Sequence, residues 1–150
     1  GMLQVSGELD LTMHGPSQKL HSKPYSKRRA VYGYIDRQNI SPTLNSFDFA
    51  NPNIHAPQRV ETTVPQQALF AFNHPFVIER SATLAKKAFD SRTANPSSQV
   101  GFLYRQILSR DPRQDESKLS VEFIGTDAKL ANFEDLAQTL LVSNEFFFTD

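Results

Sequence analysis

The side chains able to do acid–base or metal chemistry are scattered rather than grouped by spacing. Four histidines, His14, His21, His55 and His74, are spread over the chain. None has the H-x-x-x-H or H-E-x-x-H spacing that sets two imidazoles on one helical face. A metal site would have to be assembled in space, with Asp48, His55 and His74 as its ligands. The ordinary work of loop histidines, capping helices or hydrogen-bonding backbone, is the favoured reading, and no metal site is expected. The weak catalytic candidates are Asp48, His55, Arg59 and Glu61, in an irregular stretch that also holds Asp36. Two of these carboxylates could divide acid and base roles if burial separated their pKa values. The competing reading is structural: an arginine that reaches helix C-terminal carbonyls or a buried aspartate is a common anchor for an irregular arm. The structural reading is preferred.

Several chemistries are excluded outright. There is no cysteine, which removes disulfides, thiolate metal ligands, cysteine nucleophiles and covalent haem attachment through C-x-x-C-H. No serine sits in a G-x-S-x-G elbow, and Gly15-Pro16-Ser17 reads as a turn. No G-x-G-x-x-G or phosphate-loop pattern occurs, so no cofactor is expected. Sixteen basic and sixteen acidic residues give zero formal charge. Lys27-Arg28-Arg29 is the densest basic run, too little for the phosphate neutralisation that supplies nucleic-acid affinity. No apolar run reaches the roughly 18 residues of a membrane-spanning helix, and the N-terminus lacks a signal-peptide layout. Gly1 before Met2 reads as the scar of a cleaved tag.

The elements that must position these residues divide near residue 64. Before it, Gly7, Gly15-Pro16, Pro24, Pro42, Pro52 and Pro57 punctuate the chain and favour loops and extended segments. Residues 29–36 read as a short strand with Tyr32 and Tyr34 on one face, the rival being a short helix capped by Ser26. After it, helical periods take over. Helices are expected over Gln66–Phe72 and Pro75–Phe89, then from Ser97 through Leu108, over Gln114–Ile124, and from about Asn132 to Ser143. Val100, Leu103, Tyr104, Ile107 and Leu108 follow the i, i+3, i+4, i+7, i+8 spacing of one buried stripe. Phe76, Ile78, Ala82, Leu84, Ala85 and Ala88 are expected inside, as are Leu119, Phe123, Ile124, Leu136, Ala137, Leu140 and Leu141. The fold class is mainly α: about five helices bundled over residues 64–150, with an irregular arm over 1–63 carrying at most a short β element, all in one domain.

An ordered set of short segments carries a family resemblance. It comprises Ser6-Gly7-Glu8-Leu9-Asp10, Met13-His14-Gly15-Pro16-Ser17, Arg28-Arg29-Ala30-Val31-Tyr32, Phe47-Asp48, and Thr63-Val64-Pro65-Gln66-Gln67-Ala68-Leu69 leading to Asn73-His74-Pro75-Phe76-Val77. Leu103-Tyr104-Arg105-Gln106-Ile107-Leu108-Ser109-Arg110-Asp111-Pro112 and the ending Leu140-Leu141-Val142-Ser143-Asn144-Glu145-Phe146 complete it. In that order they resemble the planctomycete-type C-terminal domain of unknown function, which closes large proteins that often begin with a cytochrome-c-like haem domain. The resemblance implies an exported parent, periplasmic or at the cell surface, with any haem chemistry upstream. It implies no catalytic residue here. The family often has Gly where His14 stands and a Cys near His55, so neither position gains support for shared chemistry.

Phe146, Phe147 and Phe148 form a terminal run too apolar for a free tail. Three consecutive aromatics cannot all point one way, so these are the interaction candidates, set against simple core packing. The expectation is a non-catalytic interaction or scaffold module from the C-terminal end of a larger exported protein. Its partners would be the parent's other domains or a surface polysaccharide, the latter needing Tyr32 or Tyr34 exposed as a platform, with no nucleic acid and no membrane span. The alternative is that Asp48, His55, Arg59 and Glu61 complete a hydrolase or haem-linked oxidoreductase site formed with other domains.

Overall fold

The computed structural model describes residues 1–20, 22–47, 49–50, 53, 65–91, 95–125 and 127–147. Among them the chain is mainly helical: α1 (Met2–Val5), α2 (Pro42–Ser46), α3 (Pro65–Asn73), α4 (Pro75–Phe89), α5 (Pro96–Leu108), α6 (Gln114–Ile124), α7 (Leu130–Val142) and α8 (Asn144–Phe147). It forms two compact units, Gly1–Glu8 with Ala71–Asp150, and Leu9–Phe70. The first eight residues, expected in the arm, therefore belong to the helical unit.

Local signals set the helix boundaries. Pro75, Pro96 and Pro42 occupy first helical positions, where a missing N–H costs nothing. The His74 ring nitrogen accepts from the Phe76 N–H at 3.2 Å and caps α4. Asn95 caps α5 by accepting from the Ser97 N–H at 3.0 Å. Asparagine at that position satisfies an orphan donor of the first turn. α5 closes on Ser109 in the left-handed region at φ 58°.

The core of the helical unit gathers Leu84, Ala85 and Ala88 of α4 and Val100, Leu103, Tyr104 and Ile107 of α5. Ile124 of α6 and Phe133, Leu136, Ala137, Leu140 and Leu141 of α7 complete it. α7 packs most extensively on α4. Ser81, Ala85 and Ala88 on α4 and Ala137 on α7 are small and buried, which lets two helix backbones approach closely. Phe89 meets Phe133 edge to face at 5.8 Å, a favoured aromatic geometry.

Three expectations of burial are overturned. Leu119 and Phe123 of α6 are 66% and 55% exposed, and the helix turns Ser120 and Ile124 inward instead. Ile78 of α4 also faces out, while Val77, Arg80 and Ser81 are buried. The cause is the 100° advance per residue: an apolar side chain one position off the contact stripe leaves it, whatever its hydrophobicity. The buried Arg80 makes an ion pair with Glu8 at 2.9 Å. Lys87 donates to the Ser6 carbonyl at 2.7 Å and Gln106 to the Val5 carbonyl at 2.9 Å. These three contacts hold α1 and its exit on the helices. Gly7, at φ 68°, lies so close to Lys87 that a Cβ there would sit 2.7 Å from the ammonium.

The strand expected over 29–36 does not form. Ala30–Tyr32 is a single 3-10 turn, flanked by isolated bridges at Arg28 and Gly33. At Gly33 the backbone is extended and passes against Leu20, where a Cβ would overlap that side chain. Phe133→Ala is expected to lower unfolding free energy by about 3–5 kcal/mol through cavity formation. Phe123→Ala should stay within about 0.5 kcal/mol. Urea midpoints followed by circular dichroism check both, and a large loss for Phe123→Ala would contradict its outward placement.

Candidate functional site

The four catalytic candidates from the sequence, Asp48, His55, Arg59 and Glu61, lie outside the described residues, as do His21 and Phe148. Of the remaining histidines, His74 is the α4 cap. His14 lies at φ 66° in a turn, where its N–H donates to the Tyr32 hydroxyl at 3.1 Å. That left-handed backbone is the one glycine tolerates best, so the turn itself sets the demand at this position. Among the described residues no three His, Asp or Glu side chains cluster as metal ligands.

In the Leu9–Phe70 unit the organising side chain is Arg28, which is buried. Its guanidinium donates to the carbonyls of Thr12 at 2.9 Å, His14 at 2.5 Å and Pro16 at 3.4 Å. It also lies 4.0 Å over the Tyr32 ring. A planar fork with five donors can gather several loop carbonyls that no helix or sheet satisfies. The Asp10 carboxyl is held below its ordinary range, chiefly by the hydrogen bond from the Thr12 hydroxyl. Tyr32 is thus covered by Arg28, whereas Tyr34 is 56% exposed.

Beside Tyr34 lies a cleft of about 340 Å³, whose lining includes Lys19, Ile35, Asp36, Asn39 and Leu44. Its two walls are joined by backbone: the Gln18 N–H donates to the Tyr32 carbonyl, and the Tyr34 N–H to the Gln18 carbonyl, both at 2.8 Å. Asp36 accepts from the Gln38 N–H at 2.9 Å, which fixes its carboxylate on the rim. Sequence reasoning named Tyr34 but not Lys19, Asp36 or Asn39 as its companions. They meet only because residue 18 pairs with residues 32 and 34.

In the helical unit the interaction candidates sit on α8. Phe146 is half-buried against the core, Phe147 is exposed, and their rings meet edge to face at 5.9 Å. α8 is tied down by Arg110, whose Nε and Nη2 donate to the two Glu145 oxygens at 2.5 and 2.8 Å. The same guanidinium donates to both Glu116 oxygens at 2.7 and 2.8 Å. Glu116 also accepts from the Arg113 N–H at 2.7 Å, the N3 half of a capping box for α6. Arg110 therefore holds two carboxylates bidentately, the strong geometry for such pairs. The only local sequence signal for this cluster is the acid at the third position of α6. The partner Glu145 lies far along the chain.

The hydrogen bonds from Arg110 hold Glu145 below its ordinary pKa. The same cause, followed by the Arg113 N–H, brings Glu116 down from 4.5 to about 2. A carboxyl depressed in the folded state contributes stability above its unfolded pKa and loses it as pH falls through the folded value. The chain should therefore lose stability from Glu116 as pH drops from about 4.5 toward 2. Glu116→Gln should lower the urea midpoint at neutral pH and flatten that acid slope. An unchanged slope in the variant would show that Glu116 is not coupled to folding.

Neither curated proteins nor solved structures gave a match to this chain. A family model does match, over residues 1–124, and that span includes the Arg28 loop, the Tyr34 cleft and helices α1 to α6. The chain belongs to the family described as PSD1, protein of unknown function (DUF1553).

Proposed function

We propose that this chain is a non-catalytic interaction module from a larger exported protein, packing against another domain of that protein through α6. The observation that carries the reading is the outward pair Leu119 and Phe123. They are one helical turn apart, so they share a face of α6. Isolated apolar residues on a surface are ordinary, but a large aromatic and a leucine stacked on one helix face supply a core for a contact.

The neighbouring surface of α6 suits the same use. An open groove of about 720 Å³ is lined by Pro112, Gln114, Ser117, Lys118, Val121 and Glu122. Lys118 and Glu122 are opposite charges at i, i+4, so this surface has no net field that would select a polyanion. An apolar pair beside a groove with mixed polar rims is the composition of contacts between domains. The exported parent is supported by the family resemblance, and the parent's own activity would lie in its other domains.

Amide hydrogen exchange in the full-length parent tests the reading. Residues 114–124 should exchange about tenfold or more slowly there than in this chain alone, because a docked face opens less often. Phe123→Glu should restore the faster exchange without unfolding the chain. Equal exchange in the two contexts would end the proposal.

A further inference from the structure

We propose that the cleft beside Tyr34 is a binding site for a neutral hexopyranose unit of a polysaccharide. The inference stands on the Leu9–Phe70 unit alone and is independent of the α6 face.

The first ground is the ring. Tyr34 is the tyrosine whose face is left accessible: Tyr32 lies under the Arg28 guanidinium, and Tyr25 is half-buried. An aromatic ring with an apolar body and a polar tip, standing at the edge of a cleft, is a surface on which the C–H face of a pyranose can lie. Ile35, 41% exposed, extends that apolar surface, and Leu20 and Leu44 continue it into the cleft.

The second ground is the rim. Sugars present hydroxyls that both donate and accept, and they are best met by short or planar polar side chains in fixed positions. Asp36, Asn39, Ser22 and Ser41 supply both kinds of group around the cleft. Asp36 is not free to swing, since the Gln38 N–H engages one of its oxygens. The backbone bonds of Gln18 to residues 32 and 34 fix the spacing between the Lys19 wall and the Tyr34 wall. The Gln18 side chain is itself held by the Ser26 hydroxyl at 2.6 Å. A site whose walls are set before binding loses less ordering entropy on binding.

The third ground is charge and size. Lys19 and Asp36 are the charged lining groups, and their signs cancel. The cleft therefore offers no concentration of positive charge for a phosphate, sulfate or uronate, which normally needs converging arginines or lysines. Its volume of about 340 Å³ is at the low end of ligand pockets, about 300–1,000 Å³. That is room for one or two sugar rings rather than a large cofactor.

Affinity gel electrophoresis of the whole chain tests the assignment, with hydroxyethylcellulose, mixed-linkage β-glucan, xyloglucan or galactomannan cast in the gel. Polygalacturonate and alginate serve as anionic comparisons. The expected result is retardation by at least one neutral polysaccharide, with affinity weakened about tenfold or more in Tyr34→Ala, the effect of losing one stacked ring face. Asn39→Ala, an exposed change on the rim, should weaken the same retardation, while Phe123→Ala should leave it unchanged. Circular dichroism melts confirm that the variants fold. Mobility unaffected by every neutral polysaccharide overturns the proposal. So does retardation only by the anionic gels, or retardation that survives both cleft substitutions.

Discussion

Burial of the α7 stripe against α4 is the constraint on which the helical unit depends. α7 contributes Phe133, Leu136, Ala137, Leu140 and Leu141 to a single core, and the small residues of α4 form the surface that receives them. Once those two helices are paired, α5 can close the core only with Val100, Leu103, Tyr104 and Ile107 inward. α6 is then left to cover what remains with Ser120 and Ile124. Tyr104 and Ser120 bring their hydroxyls within 3.5 Å of each other inside this packing, so the polar tip of the buried ring keeps a partner. The outward turn of Leu119 and Phe123 follows from the same geometry. A helix that offers one narrow stripe to a finished core has nowhere to put a second apolar edge.

Three arginines do for the irregular segments what apolar periodicity does for the helices. Arg28 gathers loop carbonyls, Arg80 meets Glu8, and Arg110 joins Glu116 to Glu145. Arg28 and Arg110 act where the chain has left regular structure, and Arg80, inside α4, reaches Glu8 just past α1. A guanidinium suits this because it stays charged, presents donors in a fixed plane, and stacks on aromatic rings. Arg28 lies over Tyr32, and Arg80 and Arg110 lie 5.3 and 5.5 Å from the rings of Phe76 and Tyr104. The bare pairing of a buried arginine with a carboxylate is weak ground for stability. Its value in these segments is positional, since it decides which loop atoms meet.

The binding readings rest on features that such positioning leaves at the surface. α6 carries an apolar pair that the core does not use, and the Leu9–Phe70 unit carries a tyrosine whose neighbour, not itself, is covered by arginine. Both arise from local geometry rather than from a catalytic constellation. The strongly perturbed group among the described carboxylates, Glu116, is committed to holding α8 and capping α6. Its low pKa is therefore a mark of structure, as ion-pair networks often produce.

The helices were legible from the sequence because their signals are local. Proline at first turns and the spacing of Val100 to Ile107 or Leu136 to Leu141 depend only on residues within a few positions of one another. The mainly helical class followed from the same local patterns. Tertiary structure alone decided which edge of each apolar stripe is buried, which is why Phe123 and Ile78 were misplaced. It also made Ala30–Tyr32 a 3-10 turn inside the segment read as a strand, next to the Arg28 that reaches Thr12 and His14. The site residues were the least legible part. Lys19 and Asp36 line one cleft, and Arg110 pairs with Glu145, from positions well apart in sequence. No periodicity encodes such a meeting, and only the folded backbone brings those side chains together.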